Sequence, residues 1–155
     1  MSTGYYHSPI GIIEIKANDT GICSLYFVEK EGINDVSPLI EQCFIQLAQY
    51  FKGTRRDFSL ALNPEGTDFQ KTVWNELLKI PHGTTTSYLK IAQSLGDRNK
   101  IRAVGNTNGK NKISIIIPCH RVVGSNNDLV GYAGGIWRNK WLLELEGREK
   151  QGELF

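Results

Sequence analysis

Ile13, Ile15 and Ala17 alternate with polar neighbours, the two-residue period of a strand with one buried face. Asn18-Asp19-Thr20-Gly21 supplies a turn and the apolar run over 22–28 leads back, which predicts a hairpin. The period then changes. Ser37-Pro38 combines a capping hydroxyl with a proline suited to a first helical position. Behind it Leu39/Ile40, Cys43/Phe44, Leu47 and Tyr50/Phe51 recur at helical spacing up to Lys52-Gly53. Residues 58–62 read as a short strand and Asn63-Pro64-Glu65-Gly66 as a linker. This first third is therefore a small sheet-plus-helix domain, residues 1–63.

A second module, residues 67–150, opens on Thr67-Asp68-Phe69-Gln70, a capping box. Phe69, Val73 and Leu77, flanked by Trp74 and Leu78, predict a buried helix face. Ser87 can cap a short helix running to Leu95, Gly96 stops it, and Asp97 can cap another beginning near Asn99. Two short helices joined by a glycine turn form a helix-turn-helix candidate whose second helix carries Lys100, Arg102 and Asn106. Asn108-Gly109-Lys110-Asn111 is a polar turn. Residues 113–117 form an apolar strand candidate ending at Pro118, and Ser125-Asn126-Asn127-Asp128 is another turn. Residues 131–135 make a glycine-rich loop, 136–146 a last helix burying Trp137, Trp141 and Leu145, and 151–155 a tail. The fold class expected is α+β, with a winged helix-turn-helix-like second domain.

Charge changes this picture. Residues 1–66 carry five Lys/Arg against eight Asp/Glu, and the remainder thirteen against eight. Between Tyr88 and Arg121 lie seven basic side chains and one acid, Asp97. A basic window over a helix-turn-helix candidate is the footprint of a polyanion binder. No run approaches the roughly 18 apolar residues of a membrane helix, and residues 1–9 lack a secretory pattern. A soluble, cytoplasmic, monomeric protein is expected. Cys23, Cys43 and Cys119 show no CxxC spacing and are odd in number, which argues against disulfides and against a zinc site. Cys23 and Cys43, on an expected strand and an apolar helix face, read as packing residues.

Chemistry concentrates at Ile116-Ile117-Pro118-Cys119-His120-Arg121-Val122-Val123. An imidazole can take a thiol proton, and a cationic neighbourhood stabilises the thiolate. In an extended segment, however, adjacent side chains point to opposite faces. Cys119 and His120 then need a turn or a bridging water to communicate, with a carboxylate orienting the outer imidazole nitrogen. A buried packing cysteine beside a histidine is the alternative at this point.

Pro118-Cys119-His120-Arg121-Val122 resembles the active-site signature of the O6-alkylguanine-DNA alkyltransferases, also called methylated-DNA–protein-cysteine methyltransferases. The resemblance spans residues 67–147. It includes Tyr88, Arg102-Ala103-Val104-Gly105, Asn111, Tyr132-Ala133-Gly134-Gly135 and the closing Glu146-Gly147. Residues 1–63 resemble the family's ribonuclease H-like N-terminal domain only in length and in hairpin-then-helix order.

The resemblance implies DNA repair by direct transfer of an alkyl group from O6-alkylguanine, and from O4-alkylthymine, in duplex DNA onto Cys119. The thioether formed has no hydrolytic exit, so each molecule acts once. It implies that Cys119, His120 and Glu146 form the nucleophilic chain through a water, with no cofactor or metal. Tyr88, Val122, Tyr132, Ala133 and Gly134 would form the base pocket, and the Cys119 and Val122 carbonyls would read the guanine amino group. Tyr88, Arg102, Ala103 and Gly105 would meet the minor groove, Arg102 filling the gap left by a flipped nucleotide. Asn111 would be a hinge between the helix-turn-helix and the cysteine segment. Three departures from the family pattern stand out. Ala133 replaces a serine found in some members, Asn106-Thr107 replaces smaller residues, and Lys100-Ile101 precedes Arg102 where small residues often sit. A non-catalytic alkylguanine sensor on the same fold is the alternative, and Cys119 argues against it. A Cys-His hydrolase would draw its base from elsewhere in the chain, and a DNA-binding regulator would not need the thiol.

Overall fold

The computed structural model describes residues 1–124, 132 and 134–152, with side chains as far as Gly147. The turn expected over 125–128, residues 131 and 133 of the glycine-rich loop, and residues 153–155 of the tail lie outside the described residues. The chain divides into two compact units, Met1–Glu65 and Gly66–Phe155, and the fold is of the expected α+β class.

In the first unit, β1 (Ser2–Ser8), β2 (Gly11–Asn18) and β3 (Gly21–Val28) form an antiparallel sheet in that order. Ile13, Ile15 and Ala17 of β2 and Ile22 and Leu25 of β3 are buried. Helix α1 (Pro38–Lys52) covers the sheet with Ile40, Cys43, Leu47 and Tyr50, also buried. Ser37 Oγ accepts the Ile40 amide at its start, and Gly53 ends it in the left-handed region at φ +81°.

Strand β1 was not expected from the pattern. Its buried position opposite Ile15 is Gly4, and a Cβ there would lie 2.5 Å from Ile40 Cγ2 and 2.6 Å from Phe44 Cζ. The helix packs on bare backbone, so no apolar period marks the strand. The strand expected at 58–62 is a second correction, because only Leu62 bridges, to Ile22. The buried Gln46 side chain satisfies Ser59 instead, donating to its carbonyl at 3.2 Å and accepting from its amide at 2.9 Å. A carboxamide offers both a donor and an acceptor, so it can replace a neighbouring strand at one residue.

In the second unit, α2 (Asp68–Leu77) starts from the expected capping box, Thr67 with Gln70. Val73, Trp74 and Leu77 are buried, Phe69 only in part, and Leu78 is exposed. Trp74 Nε1 donates to the Thr107 carbonyl at 3.2 Å, tying α2 to α4 (Ile101–Gly109). Between them run β4 (Thr86–Ser87) and α3 (Tyr88–Ser94), capped by Ser87, then the left-handed Gly96 at φ +87°. Asp97 accepts the Asn99 amide and starts a 3-10 turn, Arg98–Lys100, that runs into α4. The expected pair of short helices is therefore present. β5 (Val122–Val123) pairs in parallel with β4, and α5 (Ile136–Gly152) follows. Leu142 and Leu145 of α5 are buried, but Trp137 is 56% exposed with the Arg138 guanidinium 4.5 Å from its ring centre. The expected burial of Trp137 is thus corrected.

Candidate active site around Cys119

The apolar run 113–117 is not a strand. Ile117 N donates to the Ile113 carbonyl and Ile116 N to that of Ser114, folding the run into turns. Ile115 sits at φ +72°, a conformation that a β-branched residue enters only under strain. The Asn111 side chain holds this shape from inside. Its Oδ1 accepts from Ile113 N at 3.0 Å, and its Nδ2 faces the Ile117 carbonyl at 2.7 Å and the Ile113 carbonyl at 3.3 Å. Four isoleucines and a serine ending at a proline resemble a buried strand to any periodic reading. A polar residue two positions upstream overrides that pattern.

Cys119, His120 and Arg121 consequently form one turn of 3-10 helix rather than a strand end. All three are buried, His120 completely. Asn111 Nδ2 lies 3.1 Å from Cys119 Sγ, so the expected hinge residue also touches the sulfur. Burial pushes the Cys119 thiol up to about 11, against the downward pull of the Asn111 hydrogen bond and of backbone amides at Cys119 and His120.

His120 Nε2 meets Glu146 Oε2 at 2.7 Å, while Nδ1 has no hydrogen-bond partner among the described residues. Tyr132 packs edge-on against the imidazole, with ring centres 6.4 Å apart. Arg121, the expected cationic neighbour of the sulfur, is instead engaged with Glu146 and with the Ile80 carbonyl. Its Nε donates to Glu146 Oε1 at 2.8 Å, its Nη2 to Glu146 Oε2 at 3.0 Å and its Nη1 to the Ile80 carbonyl at 2.7 Å. The Gly83 amide approaches Glu146 Oε1 at 3.5 Å. Burial alone would raise the Glu146 carboxyl. The charge and hydrogen bond of His120, followed by those of Arg121, instead hold it well below the usual carboxylate range.

The remaining expected residues fall into two groups. Near the sulfur are Tyr88 and Tyr132, whose phenols are both raised, chiefly by burial and further by charge on Cys119. Tyr88 packs beside Gly105, where an added Cβ would lie 3.9 Å from its ring, and the Asn108 side chain hydrogen-bonds its hydroxyl. Val122 is buried in β5. Gly134 is buried, its carbonyl accepting from Arg138 Nη1 at 3.0 Å. Ala133 lies outside the described residues. The Cys119 carbonyl already accepts the Val122 amide and faces Asn108 Nδ2 at 3.4 Å.

On the exposed face of α4 stand Arg102, Ala103 and Asn106. Thr107 points inward, so of the two unusual residues there only Asn106 adds polar bulk outside. Lys100 lies over the Phe69 ring at 5.3 Å, and Ile101 is 40% exposed.

Sequence reasoning missed Arg121 as a ligand of Glu146, the Ile80 carbonyl that steadies it, and Asn108. The separations involved, 25 residues between Arg121 and Glu146 and 41 between Ile80 and Arg121, leave no local signal. Among the described residues, no helix is long and apolar enough to cross a membrane and no cluster of metal-ligating side chains occurs.

Two family models cover nearly the whole chain. The 6-O-methylguanine DNA methyltransferase DNA binding domain matches residues 68–148, and the ribonuclease-like domain of the same proteins matches 1–64. The methylated-DNA–protein-cysteine methyltransferase of Methanosarcina barkeri is 46% identical over 146 residues, 90% of this chain and 92% of that one. That of Methanosarcina acetivorans is 42% identical over 154 residues, 95% and 99%. The crystal structure of the Mycobacterium tuberculosis O6-methylguanine methyltransferase superimposes with a TM-score of 0.87 at 38% identity, covering 96% of this chain and 93% of that one. A structure of a relative from the same organism in complex with DNA gives 0.86 at 40%, covering 94% and 92%.

Proposed function

The chain belongs to the methylated-DNA–protein-cysteine methyltransferases, DNA-repair proteins that transfer an alkyl group to a cysteine, and from that premise we propose that Cys119 is the acceptor. The observation that carries this assignment is the environment of its sulfur. Of the three cysteines, Cys119 has a side-chain amide donor on Sγ and is next in the chain to a buried His–Glu pair.

The substrate is O6-alkylguanine in duplex DNA, with O4-alkylthymine as a second. The alkylated oxygen of a stacked guanine is out of reach of a thiol buried in the protein, so the nucleotide is extruded before reaction. Arg102, exposed on α4, occupies the gap it leaves. Tyr88 and Tyr132 flank the base near the sulfur.

In the transfer step the Cys119 sulfur attacks the alkyl carbon, forming the S–C bond as the C–O bond breaks and its electrons pass to the guanine. The thiol proton leaves through a water to His120 Nδ1, the nitrogen turned away from Glu146. A proton returning to the guanine ring balances the step. Asn111 Nδ2 stabilises the sulfur while it carries negative charge. The thioether persists, so the protein is consumed one for one.

The test uses a duplex carrying O6-methylguanine with a radiolabelled methyl. One label per protein, mapped to Cys119 by mass after digestion and absent in Cys119→Ala, is the expected result. Tight binding to the damaged duplex with no label transferred would replace this reading with that of a damage sensor.

A further inference from the structure

Among the described residues, the hydrogen bonds of the Arg121 guanidinium go to Glu146 and the Ile80 carbonyl, and none to the sulfur. Nε and Nη2 bind the two oxygens of Glu146, and Nη1 is fixed on the Ile80 carbonyl. Glu146 Oε2 is thereby shared between two donors, His120 Nε2 at 2.7 Å and Arg121 Nη2 at 3.0 Å. We infer that Arg121 is a positioning residue for the proton acceptor: it balances the charge of Glu146, so that the carboxylate orients the imidazole of His120 without binding a proton to it. This role rests on the transfer reading above, in which His120 takes the proton of Cys119.

Charge is what matters in so buried a site. Glu146 and His120 are fully buried and Arg121 is 6% exposed, so solvent does little to screen them. The groups facing the imidazole can be named. Cys119 and Arg121 share its helical turn, Glu146 comes from α5, and Tyr132 stands edge-on to it. The segment before β4 offers the Ile80 carbonyl and the Gly83 amide to this cluster and carries His82. Arg121 and Glu146 sum to zero charge. A proton moving from Cys119 to His120 then creates a thiolate and an imidazolium, which compensate each other.

Without Arg121 the buried carboxylate would have His120 as its nearest source of positive charge. The imidazole would then hold a proton before any substrate arrived, and the thiol would have nowhere to send its own. An opposite charge at such range typically moves a titration by about 1–3 pH units. The bidentate fork also fixes the plane of the carboxylate, which a lysine would not do.

The experiment measures single-turnover methyl transfer from an O6-methylguanine duplex as a function of pH. Arg121→Met should move the acid limb of the rate profile up by about one unit or more. The rate at neutral pH should fall about tenfold or more, and should recover as the pH is raised. Arg121→Lys should keep the limb near its original position while transferring more slowly at all pH values. Arg121→Met combined with Glu146→Gln should bring the limb back down, because both charges are gone. That pair also covers the case in which Arg121→Met does not fold. Replacing both members of a buried ion pair by uncharged residues is often neutral for stability, whereas removing one is not. A uniform drop in rate with the limb unmoved in Arg121→Met would reduce Arg121 to a structural clamp. A limb still raised in the double variant would also overturn the inference. Label on a residue other than Cys119 would instead remove the transfer reading itself, whatever the limb does.

Discussion

Two buried regions of this molecule each combine a cysteine with a carboxamide, and they use the pair differently. On α1, Cys43 and Gln46 are both buried. Gln46 spends its amide on the backbone of Ser59, and the Cys43 thiol has no hydrogen-bond partner among the described residues. Around Cys119, the Asn111 amide holds the backbone of its turn and reaches the sulfur as well. Burial pushes Cys43 up to about 12, with no opposing contribution, and Cys119 to about 11 against three. Burial alone makes a cysteine a small hydrophobe. A site for chemistry requires that the sulfur be given partners while it is buried.

The largest expected effect separates the two amides. Asn111→Leu orphans the buried Ile113 amide and weakens the turn, costing about 2 kcal/mol or more of stability. It also removes the donor to Sγ, which should slow methyl transfer at least about 100-fold, the scale seen when a donor to developing negative charge is lost. Gln46→Leu orphans the Ser59 backbone and should cost a similar amount in urea unfolding, with transfer by the folded protein unchanged. Comparable losses of transfer in both variants would mean that Asn111 acts through stability alone.

The same two amides explain where the pattern of the sequence misleads. Residues 58–62 and 113–117 both look like strands because they are short and apolar. Neither becomes one, because Gln46 and Asn111 supply the backbone hydrogen bonds that a neighbouring strand would have given. A side-chain amide that caps an irregular segment leaves no period to detect. Strand β1 fails for the opposite reason: its inward position is Gly4, a gap filled by Ile40 and Phe44 from α1. The helix boundaries were legible because their causes are local. Ser37, Thr67, Ser87 and Asp97 each accept a backbone amide two or three residues ahead. In the site, Cys119 and His120 could be read from a contiguous signature, and Glu146 from the family pattern. The grip of Arg121 on Glu146 could not be, since it exists only after α5 has packed on the 3-10 turn.

Charge marks a second difference between the regions. Among the described residues, the Cys43 region has nothing comparable to the Arg121–Glu146–His120 cluster. Glu146→Gln leaves Arg121 buried without its counter-charge and should cost about 3–5 kcal/mol near neutral pH. The pH dependence follows from the depressed carboxyl. A folded value below the ordinary 4.5 means that the ionised group stabilises the fold above pH 4.5, and that this contribution is lost as the pH falls from there towards the folded value. Unfolding free energies of the two proteins should therefore converge below pH 4.5. Parallel curves across that window would show that the carboxylate is not what titrates.

The smallest expected effect tests the contrast most directly, because one substitution is made in both places. Serine replaces a thiol by a hydroxyl of similar shape that needs a hydrogen-bond partner when buried. At Cys43 the hydroxyl would have only what α1 itself can offer, and Cys43→Ser should cost about 1–3 kcal/mol. At Cys119 the Asn111 amide is already in position, 3.1 Å from the present sulfur, to donate to the new oxygen. Cys119→Ser should accordingly lose no more than about 1 kcal/mol in urea unfolding, although it transfers no methyl. The ordering carries the test. If Cys119→Ser were the less stable of the two, the polar partners around that sulfur would not be preorganised for an anion, and the role given to Asn111 would fail with them.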